Sequence, residues 1–263
     1  MALARGVGAL LGNPGLEPER SAMWELSYKR SFPFGIVASA TYFKKSITNL
    51  IDSKTFVPGF SHLSGGYGFA EYVNDPYADV EGLELSITRS AGKWLTGELS
   101  YTYMVAEGTS GGDYQGFAAA EYGLPVAPQV YPLSWDQRHA FTALLNVTTP
   151  DRTDIHLVAH LRSGRPYTYY PWTTGFEPVN VGLFALNNQR MPGFSTVDLH
   201  LEQHIGLDFW PQGDVSVYVD VRNLFNTQNV AWMDANGGVG GELGDPSGYY
   251  VGRRTRFGFR ASF

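Results

Sequence analysis

Val215-Ser-Val-Tyr-Val-Asp-Val-Arg222 is the stretch that decides the fold. Every second residue is valine, and between the valines lie Ser216, Tyr218, Asp220 and Arg222. A strand sends successive side chains to opposite sides, so this segment has one aliphatic face and one polar face. A helical period of 3.6 cannot sort residues this way.

The same alternation recurs on both sides of that stretch. Val197, Leu199 and Leu201 oppose Asp198, His200, Glu202 and His204, while Thr255, Phe257, Phe259, Ala261 and Phe263 oppose Arg256, Gly258, Arg260 and Ser262. Upstream, Ile155, Leu157, Ala159 and Leu161 face away from His156, His160 and Arg162. Four more segments follow suit: Met23 to Arg30, Val80 to Arg89, Trp94 to Val105 and Gln137 to Val147. Ile36 to Phe43 alternates less cleanly, with Ser39 and Thr41 marking its polar side. Nine antiparallel strands are expected, each of about ten residues.

The connections sort into two kinds. After odd-numbered strands they are tight, as at Phe32-Pro33-Phe34-Gly35, Ala91-Gly92-Lys93, Thr149-Pro150-Asp151-Arg152 and Asp208 to Gly213. After even-numbered strands they run to roughly 20 to 30 residues, rich in Gly, Pro, Tyr and Asn, which is how outer-membrane barrels alternate short periplasmic turns with long extracellular loops. Phe32, Phe34, Trp94, Phe209, Trp210 and Phe263 collect at the short-turn end, where an interfacial aromatic girdle would lie.

Composition agrees. Aromatics make up 14% of the chain and charged residues 17%, with 31 glycines. No apolar run approaches the ~18 residues that a membrane helix needs. Barrel strands place only alternate side chains in lipid, so a mildly polar total does not speak against a membrane barrel. With no cysteine the chain has neither a disulfide framework nor a thiolate metal site. Its net charge of −6 argues against nucleic acid as a partner. The segment Met1 to Gly12 is short, broken by glycine and without a small-residue cleavage site, so a secretory signal is expected upstream of Met1.

A family resemblance appears at Asn13-Pro14-Gly15-Leu16-Glu17-Pro18-Glu19, followed by Trp24-Glu25-Leu26. This resembles the segment preceding a descending barrel strand in TonB-dependent receptors. Further segments are similar to that family in the same order: Asn49 to Asp52, Val80 to Leu85, Leu133-Ser-Trp-Asp-Gln-Arg-His139, Ser163 to Thr168, Asn187 to Pro192, and Val221-Arg-Asn-Leu-Phe-Asn226. The chain's end, with Arg256, Gly258, Ala261 and Phe263, is similar to the terminal signal read by the outer-membrane barrel-assembly machinery.

The resemblance implies an all-β fold, namely the C-terminal part of a transmembrane barrel of ~22 strands that encloses a plug. Residues 1–20 are then expected to be the remnant of an extracellular loop and residues 21–263 the C-terminal barrel wall, with plug and TonB-contacting box outside this sequence. Physics points the same way, because hydrocarbon tolerates no unpaired sheet edge and nine strands leave two. The implied function is TonB-dependent uptake of a large scarce solute, such as a siderophore, cobalamin or a glycan, across the outer membrane. The implied partners are lipid, the assembly machinery, the solute, and the TonB complex through the missing N-terminal part. The alternatives are a structural or adhesive outer-membrane barrel and a secreted carbohydrate-binding β-sandwich.

Two sets of residues are candidates for chemistry. His156 and His160 share one polar strand face with His200 and His204 on the neighbouring strand; a pairing of His156 with His204 would set His160 opposite His200 and gather four imidazoles. Imidazole suits zinc, copper or nickel. Two histidines four apart on one strand are, however, separated by roughly 13 Å. Polar lining of the barrel lumen is therefore the expected role, with no metal and no cofactor. Tyr167, Tyr169, Tyr170 and Trp172 form an aromatic loop suited either to stacking on a sugar or aromatic siderophore, or to packing against other loops. No nucleophile elbow, P-loop or dinucleotide fingerprint is present, and no catalytic residue is expected.

Overall fold

The computed structural model describes residues 7–56, 68–74, 76–110, 130–169, 185–206, 214–241 and 243–262. Its strands are β1 (Val7–Leu11), β2 (Arg20–Phe32), β3 (Ile36–Thr48), β4 (Asp52–Phe56), β5 (Gly68–Val73), β6 (Ala78–Arg89), β7 (Leu95–Gly108), β8 (Tyr131–Pro132), β9 (His139–Thr148), β10 (Thr153–Arg162), β11 (Pro166–Tyr167), β12 (Gln189–Arg190), β13 (Phe194–Ile205), β14 (Asp214–Arg222) and β15 (Arg254–Ser262). Two short 3-10 turns are the helical pieces among the described residues.

One large sheet runs in the order β15-β14-β13-β10-β9-β7-β6-β3-β2, with β8 added to the long-loop end of β7. Its neighbours pair antiparallel throughout. Each long strand thus lies beside the next long strand in sequence, an up-and-down meander whose two outer strands, β2 and β15, each pair on one side. These are the nine alternating segments of the sequence, extended by a few residues at most ends. Residues 1–20, expected as loop, contain β1, which joins β5 and β4 in a separate three-stranded sheet. Aromatic residues stand exposed at the short-turn end in Phe32, Phe34 and Trp94, whereas Phe209, Trp210 and Phe263 lie outside the described residues.

Large apolar side chains stand exposed on one face of the sheet, while some polar side chains of the opposite face are buried. On one face, Trp24 is 79% exposed, Leu26 75%, Phe257 80% and Phe259 78%. On the opposite face, Glu202 is 7% and Ser216 1% exposed. Register makes these faces continuous, since Leu83 lies between Tyr42 and Tyr103, and Leu201 between Ile155 and Val219. In a sandwich the aliphatic face would be covered by a second layer. Among the described residues no second layer covers it, and its large side chains stand exposed from Trp24 to Phe259.

Two aromatic rings on the polar face rest on glycines of the next strand. Phe43 pairs with Gly82, where a Cβ would come 2.6 Å from its ring, and Tyr218 pairs with Gly258, where a Cβ would come 2.5 Å from its ring. A ring folded over a strand glycine covers backbone that glycine leaves bare and fixes the register. Gly258, read as part of an assembly signal, thus also has a packing role. Among the described residues, the clusters of buried apolar side chains sit at the long-loop end, where Phe43, Val80 and Ala106 form one and Ala78, Tyr131 and Leu133 another.

The pairing supposed for the histidines is corrected by the register of β10 and β13. His156 lies opposite His200 and His160 opposite Thr196, a slip of four residues from the pairing that would gather all four. A shift of four keeps every side chain on its own face, so alternation alone could not choose between the two registers. Partners at the strand ends favour the observed one: Thr153 hydroxyl donates to Gln203 at 2.5 Å, and His204 sits between Asp154 and Asp214.

Candidate functional site

The polar face carries a ladder of contacts across five strands. At its upper end His160 Nδ1 lies 3.2 Å from the Thr142 hydroxyl, and His156 Nδ1 lies 2.7 Å from Asn146 Oδ1. The His156 and His200 rings stand 5.6 Å apart, as do those of His200 and Tyr218. His200 Nε2 approaches Glu202 at 3.4 Å, Arg260 donates to Glu202 at 3.0 Å, and the Ser216 hydroxyl donates to the same carboxylate. At the short-turn end both nitrogens of His204 face carboxylates, Asp214 at 2.9 Å and Asp154 at 3.2 Å, and Arg152 holds Asp214 at 2.5 Å.

Two of the four predicted imidazoles are therefore in contact, while His160 and His204 have separate partners. Among the described residues, no group of three His, Asp or Glu converges to hold an ion. The ladder is a satisfied polar wall: its buried carboxylate, Glu202, has three hydrogen-bonding partners. That arrangement suits contact with water or with another polar body.

The second assembly lies at the bases of the long loops. Asp136, fully buried, accepts from the Ala106 backbone N–H at 3.0 Å, from Arg138 Nε at 2.8 Å and from the Arg190 guanidinium. Arg138 also donates to Glu107 at 3.2 Å, and Arg190 to the carbonyls of Asp136 and Gly164. One carboxylate thus ties the end of β7, the segment before β9 and the strand β12. Burial alone would lower the pKa of Arg138, but Asp136, with Tyr103 and Glu107, raises it above the usual arginine value.

Other segments that carry the family resemblance fasten loops in the same way. Asn74 bonds the carbonyls of Glu17 and Asn49, Glu19 accepts from the Ile51 N–H, and Asn13 donates to Tyr72. Asn229 exchanges two hydrogen bonds with the Ser195 backbone, and Asn223 two with Thr227. Asn49, Asn187, Asn223 and Asn226 all adopt positive φ between 51° and 58°, where asparagine is tolerated better than most residues. Asn49, Asn187, Asn223 and Asn226 lie in the segments that carry the resemblance, and in the structure they stand at strand ends and loop bases.

In the aromatic loop, Tyr167 belongs to β11, which pairs with β12. The Tyr169 backbone N–H donates to the side-chain oxygen of Asn188, whose amide nitrogen donates back to the Tyr169 carbonyl. Both rings border Gly237 of the loop after β14, where a Cβ would stand 3.4 Å from Tyr169 and 3.5 Å from the Tyr167 hydroxyl. Tyr170 and Trp172 lie outside the described residues.

An antiparallel meander with an exposed aliphatic face, a satisfied polar face, short turns at one end and pinned long loops at the other is the wall of a bacterial outer-membrane β-barrel. The family model described as TonB dependent receptor-like, beta-barrel matches residues 3–224, so the chain belongs to that family. Its localisation is the outer membrane, and the family's members are transport receptors, not enzymes. No curated protein matches it in sequence.

Among solved structures, the outer membrane transporter YddB from Escherichia coli is 10% identical with a TM-score of 0.64, the match covering 98% of this chain and 34% of that one. A mutant of the ferric enterobactin receptor PfeA from Pseudomonas aeruginosa is 22% identical with a TM-score of 0.58, over 99% of this chain and 34% of that one. The FrpB iron transporter from Neisseria meningitidis is 15% identical with a TM-score of 0.56, over 95% and 32%. At these identities the likeness concerns the fold. The chain spans about a third of the length of the structures it matches.

Proposed function

We propose that this chain is lipid-facing wall and loop scaffold of a TonB-dependent transporter that brings a large, scarce solute across the outer membrane. The observation that carries the reading is the exposed apolar face: rings and aliphatic chains that water would penalise at about 25 cal/mol per Å² are at ease against acyl chains. The polar ladder then faces the lumen, where a plug domain would pack. The short turns would lie on the periplasmic side and the pinned loops outside, with β15 as the strand recognised by the assembly machinery.

A ferric siderophore is the solute class we favour, since relatives in fold include an iron transporter and a ferric enterobactin receptor. Tyr167 and Tyr169, beside Gly237, offer rings at the mouth for such a ligand, and cobalamin or a glycan would use the same surface. Uptake of radiolabelled ferric siderophore by cells that carry or lack the gene tests this. Energy-dependent uptake that disappears with the gene supports the proposal, and uptake unchanged for iron chelates, cobalamin and oligosaccharides alike rejects it in favour of a structural or adhesive barrel.

A further inference from the structure

Among the described residues, His156 and His200 are the two imidazoles that register brings into contact. They share one rung of the polar face, with Asn146 directly across from His156 on β9 and Asp220 across from His200 on β14. Their ring centroids stand 5.6 Å apart, with 35° between the planes.

Each ring has one nitrogen held and the other left open. His156 Nδ1 lies 2.7 Å from Asn146 Oδ1, and an amide oxygen only accepts, so Nδ1 carries the proton and Nε2 keeps its lone pair. His200 Nε2 lies 3.4 Å from Glu202 Oε2, which by the same logic leaves the lone pair on Nδ1. Glu202 is itself engaged by Ser216 and Arg260, so it stands behind His200 as its acceptor. Histidines that ligate metals commonly donate their other nitrogen to an oxygen, because that bond fixes the tautomer and the ring orientation.

The spacing suits a single ion. With metal–nitrogen bonds of about 2.0–2.1 Å, two imidazoles on one ion hold their centroids roughly 5–6 Å apart. His160 stays out of the pair: it lies opposite Thr196, has one nitrogen on the Thr142 hydroxyl and stands roughly 13 Å along the strand from His156. His204 is occupied by Asp154 and Asp214. The His156 side is exposed and the His200 side chain is 30% exposed, so an ion reaches both from water.

Donor type selects the ion. Imidazole suits copper, nickel and zinc, whereas magnesium and calcium prefer oxygen. No third His, Asp or Glu converges on the pair among the described residues, so water would fill the remaining positions and the ion could exchange.

We infer that His156 and His200 form a binding site for one divalent transition-metal ion, copper(II) held most tightly, with Asn146 and Glu202 as positioning residues. The ion joins β10 to β13 on the polar face. The site is separate from Tyr167 and Tyr169 of the aromatic loop, and it does not depend on which solute the chain takes up.

The test titrates the full chain, untagged and in detergent, with copper(II), nickel(II) and zinc(II), and with magnesium as control. A single copper ion per chain is expected, its electron paramagnetic resonance spectrum showing couplings from two imidazole nitrogens, with nickel and zinc bound more weakly. Loss of a positioning partner costs about 10–100-fold in metal affinity, so His156→Ala and His200→Ala, which remove a ligand outright, should weaken copper at least as much. Asn146→Ala should weaken it about tenfold with both nitrogen couplings retained, and His160→Ala should leave it unchanged. In the unsubstituted chain, bound zinc should shield His156 and His200, but not His160, from diethyl pyrocarbonate, a reading that needs no variant. Coupling to fewer than two imidazoles, copper affinity unchanged in both ligand variants, equal shielding of His160, or magnesium competing as well as nickel each overturns the inference. The uptake reading stands or falls separately, on the cell assay.

Discussion

Glycine 258 and aspartate 136 each make contacts that a conservative change would disturb. A Cβ at Gly258 would meet the Tyr218 ring at 2.5 Å, with the hydroxyl end of that ring equally close. Gly258→Ala is expected to cost ~1–3 kcal/mol through overpacking, read as a lower urea midpoint for loss of strand signal in detergent. Adding Tyr218→Ala should recover part of that loss; if the double variant is no better than Gly258→Ala, the ring-over-glycine account is wrong. Asp136→Ala would leave two half-buried guanidinium groups without their shared carboxylate, at a cost of about 3–5 kcal/mol. Limited proteolysis is the measurement, with new cleavage expected near 131–138 and 187–193 and the strands still protected. The importance of Asp136 is not legible in the sequence, because besides the nearby Arg138 its partners Ala106 and Arg190 lie 30 and 54 residues away.

At the scale of the strand, alternation stated almost everything about faces and nothing about register. Val215 to Val221 carries its two faces in plain letters, and all four valines fall on the apolar side of β14. The histidines of β10 and β13 were assigned to the correct face for the same reason, yet their partner positions were left open, since a slip by an even number preserves the pattern. End contacts such as Thr153 with Gln203 resolve it, and these depend on hydroxyl and amide geometry that no periodicity encodes. The same reasoning gives a strand-level expectation. Val217→Arg places a charge on the apolar face and should destabilise the folded chain by about 2–4 kcal/mol in lipid. Asp220→Asn, on the polar face, should change the unfolding midpoint little, and a cost for Asp220→Asn equal to that of Val217→Arg would mean the faces are misassigned.

For the whole molecule, the order of strands was legible because short turns force sequential neighbours to pair, and the structure keeps that order from β2 to β15. The small sheet of β1, β5 and β4 was not foreseen: β1 and β5 pair in parallel across a long stretch of chain, which local pattern does not announce. What unites the scales is that the apolar side chains share one face of a single sheet, with no second layer on it among the described residues, while the opposite face carries the hydrogen-bonded polar ladder. In water such a sheet would bury its aliphatic face against a second layer or aggregate. In a membrane it needs no second layer, only closure of its edges by further strands.

The most direct measurement of that claim uses the absence of native cysteine. Single cysteines at Val215 through Arg222, spin-labelled in outer membranes, report accessibility to oxygen and to a water-soluble nickel chelate. Oxygen access should peak at 215, 217, 219 and 221 and chelate access at 216, 218, 220 and 222, alternating residue by residue. Chelate access that is high at the valines, or the absence of any two-residue period, would contradict a lipid-facing wall.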